Sequence, residues 1–102
     1  MSSVMLPQAE LEAAEAATWY DDQRFGLGEE FLADLGFALD RIRDAPRSHA
    51  TAEFYRGPHE VRRYLLQRFP YVVLFRCRGG EVLILAVSHV RRNPAYWLDR
   101  LH

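Results

Sequence analysis

The sequence predicts an α+β fold: an N-terminal helical hairpin packed on a three- to four-stranded antiparallel sheet. Three observations point there. Apolar residues recur at helical spacing through the first 44 residues, and runs rich in Val, Leu, Ile and Tyr, separated by turn signals, fill residues 61 to 89. The helices precede the strands instead of alternating with them, which disfavours a parallel α/β sheet. A chain of 102 residues reads as one domain, residues 1–102, long enough to bury a core without disulfides or a structural metal.

Pro7 suits the first turn of a helix, and from Gln8 to about Gln23 the chain is rich in Ala, Glu and Leu with no internal glycine or proline. Ala9, Ala13, Ala16, Ala17 and Tyr20 form one stripe whose small side chains let a neighbour approach closely. Glu10, Glu12 and Glu15 lie mostly off it and read as a solvated face, favoured by the positive end of the helix dipole. Gly26-Leu27-Gly28 breaks the pattern, and a second helix follows from about Glu29 to Asp44 with Phe31, Leu35, Ala38 and Ile42 on its apolar face. It stops at Ala45-Pro46, because the residue before proline disfavours helical geometry. The short connection makes the two helices antiparallel neighbours.

A polar link from Arg47 to Glu60 leads to three strand-like segments, Val61 to Gln67, Tyr71 to Cys77 and Val82 to His89. Gly79-Gly80 is a two-residue hairpin signal, since both glycines accept the positive φ of a primed turn. With those glycines at the tip, Arg78 opposes Glu81, Phe75 opposes Ile84, Val73 opposes Ala86 and Tyr71 opposes Ser88. One face then carries Tyr71, Val73, Phe75, Cys77, Val82, Ile84, Ala86 and Ser88; the other carries Val72, Leu74, Arg76, Leu83, Leu85, Val87 and His89. Both are mainly apolar, so the face away from the helices needs a cover. Either the segment Tyr96 to Leu101 or a partner chain would supply it. Val4-Met5-Leu6 is a weakly signalled edge strand.

The chain has 14 acidic and 13 basic side chains, and every basic one is an arginine. The balance excludes a disordered tail and a highly cationic nucleic-acid binder. A single cysteine, Cys77, excludes a disulfide scaffold or a thiolate zinc site and fits a reducing cytoplasm. No stretch approaches the ~20 apolar residues of a membrane span, and Met1-Ser2-Ser3-Val4 does not begin like a secretion signal. The near-zero total hides a segregation: residues 1–44 carry a balance of −7 and residues 45–102 one of +6. An arginine-only basic half can grip phosphate or carboxylate with two parallel bonds.

Arg62, Arg63 and Arg68 lie on or just after the first strand, and Arg91 and Arg92 follow the third, next to His89. Antiparallel pairing brings Arg68, His89, Arg91 and Arg92 to one end of the sheet. Such a group could stabilise charge at a scissile phosphodiester with His89 or Tyr96 moving a proton, or bind an acidic regulator, or simply be solvated strand ends paired with local acids. His49, His59, His89 and His102 do not have zinc-motif spacing, so no metal or other cofactor is expected. Cys77, Trp19 and Trp97 read as core or cover residues.

Several segments together resemble the RelE/ParE superfamily of small bacterial toxins from type II toxin–antitoxin systems, also labelled plasmid stabilisation proteins. They are Ala13-Ala14-Glu15-Ala16-Ala17-Thr18-Trp19-Tyr20, Gly26-Leu27-Gly28-Glu29-Glu30-Phe31 and Ile42-Arg43-Asp44-Ala45-Pro46, then the run from Val61 to Tyr71 and the run from Ala86 to Trp97 that contains Arg91-Arg92-Asn93-Pro94. The resemblance implies a cytoplasmic α+β toxin held inactive by a cognate antitoxin, through which alone the complex contacts DNA. Members divide by mechanism: RelE-like ones cut messenger RNA in the ribosome, and ParE-like ones inhibit DNA gyrase by binding. RelE-type cleavage implies an arginine after the tyrosine opening the second strand of the meander, basic residues ending the last strand, and a tyrosine near the C-terminus. Here Val72 follows Tyr71, the arginines are displaced to Arg91 and Arg92, and Tyr96 holds the last position. The expectation is therefore a ParE-like inhibitor that is not itself an enzyme. Arg62, Arg63, Arg68, Arg91, Arg92, Tyr96 and Trp97 would meet the antitoxin or target. Arg68, His89, Arg91 and Tyr96 would be the catalytic set of the alternative, a ribosome-dependent endonuclease.

Overall fold

The computed structural model describes residues 2–93 and 95–101; Met1, Pro94 and His102, all named above, lie outside the described residues. Strand β1 (Ser2–Met5) leads through Leu6 into helix α1 (Pro7–Gln23), and α2 (Leu27–Asp44) follows. A 3-10 turn (Pro46–Ser48) then opens the link to strands β2 (Glu60–Leu65), β3 (Tyr71–Arg78) and β4 (Glu81–His89), and a second 3-10 turn (Leu98–Leu101) ends the described chain.

The helical hairpin forms where the alanine stripe and the glycines require it. Gly26 has φ +88°, a left-handed conformation that costs glycine least, and it reverses the chain in three residues. Gly28 lets α2 approach α1 closely, and its N–H donates to Asp21 Oδ1 at 2.7 Å. The second helix begins at Leu27, two residues earlier than its sequence suggests, and ends before Pro46 as expected.

The sheet runs β1-β4-β3-β2. The meander β2-β3-β4 is antiparallel, and β1 adds to β4 in parallel, making the four-stranded sheet mixed. Hydropathy carries no sign of that direction, since it depends on α1 returning the chain across the sheet. The first strand of the meander ends at Leu65, short of Gln67. The polar link does more than connect: Thr51 bridges Arg62, and Ala52 N–H donates to the Val61 carbonyl, closing the outer edge of β2.

The hairpin tip at Gly79-Gly80 sets Arg78 opposite Glu81 and Phe75 opposite Ile84, as the turn chemistry predicts. Beyond that point the expected register fails. A bulge at Leu85 inserts one residue into β4, so Leu74 pairs with Ala86, Val73 with Val87 and Tyr71 with His89. An extra residue flips every later side chain to the other face. Val87 therefore joins the helix-side core, whereas Ala86 joins the opposite one. His89, placed from sequence on the opposite face from Tyr71, comes edge-on to it, with ring centroids 5.3 Å apart.

Phe31, Ile42, Val73, Phe75, Val82 and Ile84 pack between helices and sheet, with the alanines of α1 above them. On the other face Val61, Leu74, Leu85 and Ala86 are covered by Ala52, Trp97 and Leu101. Trp97 is fully buried, so the chain's own C-terminal segment shields much of the face that a partner chain was the alternative to cover. Trp19, read from sequence as a core or cover residue, is instead 57% exposed.

Candidate functional site

The C-terminal segment is tied down by one carboxylate. Glu12 on α1, with a side chain only 10% exposed, accepts from the Val87 N–H (3.0 Å), the Tyr96 hydroxyl (2.6 Å) and the Arg100 guanidinium (3.0 and 3.2 Å). Arg92 approaches it at 3.5 Å. Glu12 is thus not part of a solvated face, and neither it nor Arg100 was singled out by the sequence reading. The reason lies in the sheet: β1 pairs with β4 only as far as Ile84, so beyond it one edge of β4 has no strand neighbour. Glu12 takes the Val87 N–H, and Arg100 donates to the Leu85 carbonyl at 2.9 Å, which satisfies backbone groups around the bulge.

Tyr96 is held in the same knot. Arg92 lies over its ring with the guanidinium carbon 3.5 Å from the centroid, and Arg100 lies at 5.0 Å. Burial first, and then the hydrogen bond to Glu12, push the phenol above its ordinary value. Tyr96 is a clamped structural donor in this arrangement, poorly placed to give its proton to another group.

The remaining basic residues divide. Arg68 is turned toward α2: its side chain pairs with Glu30 at 2.6 Å, its own N–H donates to the buried Asp34 at 3.0 Å, and its guanidinium lies over Phe69. That pairing with Arg68 is the main cause holding the Glu30 carboxyl below its usual value. Arg62 is bound to Glu60 and to the His49 carbonyl, and the hydrogen bond from Arg62 chiefly lowers the Glu60 pKa. His89 accepts the Arg91 N–H through Nδ1 at 3.1 Å, and Arg91 itself is exposed with no ion pair to any described residue. The sequence thus brings His89, Arg91 and Arg92 together in one segment, and the fold directs Arg68 to a different set of partners.

A second feature lies on the sheet face opposite the helices. Phe54, Leu65, Val72 and Val90 frame a shallow hollow of about 200 Å³, with Arg63 and Arg92 at its rim. Phe54, Leu65 and Val90 are exposed large apolar residues, and the Arg63 guanidinium pairs with the exposed Glu53. The self-cover by Trp97 stops at Phe54, whose ring meets it edge-on at 5.6 Å. Cys77 is a buried core residue, its thiol raised chiefly by burial.

Residues 5–94 match the family described as ParE toxin of type II toxin-antitoxin system, parDE. Among solved structures, a chain described as chromosomal ParDE TA system from P. aeruginosa has a similar fold. It superposes with a TM-score of 0.71 at 22% identity, covering 87% of this chain and 95% of that one. No curated protein matches the sequence. No helix among the described residues is long and apolar enough to cross a membrane. The family match runs from the last residue of β1 past the arginines after β4, and the chain belongs to the ParE toxins of type II toxin–antitoxin systems.

Proposed function

We propose that this toxin acts in the cytoplasm by binding DNA gyrase, and that an antitoxin neutralises it by docking on the apolar hollow beside Arg63. The observation that carries the choice over messenger RNA cleavage is the state of Tyr96. Its hydroxyl is committed to Glu12 at 2.6 Å and its pKa is raised, so the tyrosine that a RelE-type nuclease would use is occupied in holding the fold. Arg68, the nearest replacement for the arginine missing at Val72, is paired with Glu30. A charge-stabilising donor misplaced by ~1 Å loses about 100-fold in rate, and here two of four candidates are engaged elsewhere.

The test is to induce the chain without antitoxin and follow DNA and protein synthesis separately. DNA damage with filamentation, and loss of supercoiling by purified gyrase mixed with the toxin, are expected. Immediate translation arrest with messages cut at a defined codon position would replace this reading with the nuclease one.

A further inference from the structure

We propose that the outer side of α1 around Trp19 is a second docking surface, fitted to a basic polypeptide segment that places an arginine or lysine against the indole. It adjoins the hollow beside Arg63, with His89 and Arg92 lining both, and does not depend on which target the toxin has. Trp19 is 57% exposed on α1, with Glu15, Thr18 and Asp22 beside it. Its ring is not loose: Tyr20 braces it edge-on at a centroid distance of 5.1 Å. Hollows of about 570 and 390 Å³ flank it, and both are lined by Glu15 and Trp19.

Charge decides what would fill them. The sequence has no basic residue before Arg24, and α1 carries five acids. Glu12 is consumed by Arg100 and Tyr96, whereas Glu15 and Asp22, four residues before and three after Trp19, have no ion pair with any described residue. The larger hollow has further aromatic wall from Tyr20 and Tyr71. Arg92 on its far side is already offset by Glu12, so the helix side of the groove is the negative one. An aromatic face next to an unpaired carboxylate suits a guanidinium, which can stack on the ring and bond the carboxylate with its edge. An acidic segment, of the kind expected at Arg63, would be repelled here.

The experiment titrates the full chain with a blocked Arg-Leu-Arg-Arg-Leu-Arg peptide and with Glu-Leu-Glu-Glu-Leu-Glu, following the two indole N–H resonances by NMR, assigned with Trp19→Phe. The arginine peptide should shift the Trp19 resonance saturably and the glutamate peptide should not. Glu15→Gln, read at the Trp19 indole, and Trp19→Ala, read at the α1 backbone amides, are both at exposed positions and should each weaken binding about fivefold with helix content unchanged. Glu10→Gln removes the same charge from a different side of α1 and should change affinity by less than about twofold. Equal weakening by Glu10→Gln would mean diffuse attraction and overturn the proposal. So would binding of the glutamate peptide, the absence of a saturable shift, or a Trp19 shift that tracks protein concentration without peptide, which would assign the face to a second copy.

Discussion

Glu12→Ala would leave Arg100, 15% exposed, against the Tyr96 ring with no counter-charge, and would strip the Val87 N–H of its acceptor. Breaking a largely buried pair from one side typically costs about 3 kcal/mol, so the urea midpoint should fall steeply. Glu12→Gln keeps an acceptor oxygen and should cost less. The tyrosines set the alkaline limit. Tyr20, Tyr71 and Tyr96 all have pKa values raised above 10.0, in each case chiefly by burial. The folded state then holds these protons more tightly than the unfolded one, so their contribution is intact below about pH 10 and is lost as pH rises through the raised values. Urea midpoints measured against tyrosinate absorbance should show that decline, with Tyr96→Phe reducing its slope. None of this was legible at Glu12, whose position off the alanine stripe reads as solvent-facing. Its partners lie 75 to 88 residues away along the chain, beyond the reach of local periodicity.

The elements were legible where local chemistry alone decides them. Both helices follow from apolar spacing and from the stop at Pro46, and the hairpin tip from Gly79, whose φ of +59° glycine accepts. The bulge was not, because Leu85 is as apolar as its neighbours and the interruption is set by what Glu12 and Arg100 do to the open edge of β4. The direction of β1 was hidden for a similar reason: its pairing depends on where α1 sends the chain. Gly28 provides an element-scale test of the hairpin. A Cβ there would fall 2.4 Å from the Ala17 carbonyl oxygen, which is backbone and cannot swing aside, and 2.8 Å from the Asp21 carboxylate. Gly28→Ala should force the two helices apart and cost about 2 kcal/mol, read as a lower thermal midpoint. Gly36→Ala, on the same helix with nothing near its added carbon, should be neutral or slightly stabilising.

Across the whole molecule the charge segregation read from the sequence becomes a geometric one, but not all of it is available to partners. Arg62, Arg68 and Arg100 are spent on internal acids. Arg63 and Arg92 frame the apolar hollow, with Arg91 exposed in the adjoining segment. Phe54, Leu65 and Val90 supply the apolar contact, and the arginines supply selection for an acidic, amphipathic segment. Arg63→Glu combined with Arg91→Glu should therefore weaken the antitoxin complex. Interactions between exposed charges are screened within a Debye length of about 8 Å at physiological salt, so the difference between variant and parent should narrow as salt is raised. Neither side chain enters a core cluster, so the folded fraction should not change. Leu65→Ser should weaken the same complex with little dependence on salt, because it removes apolar contact and leaves the field intact. Titrating the double variant and Leu65→Ser with antitoxin at low and high salt separates the two contributions; unchanged affinity in both would place the antitoxin on another face.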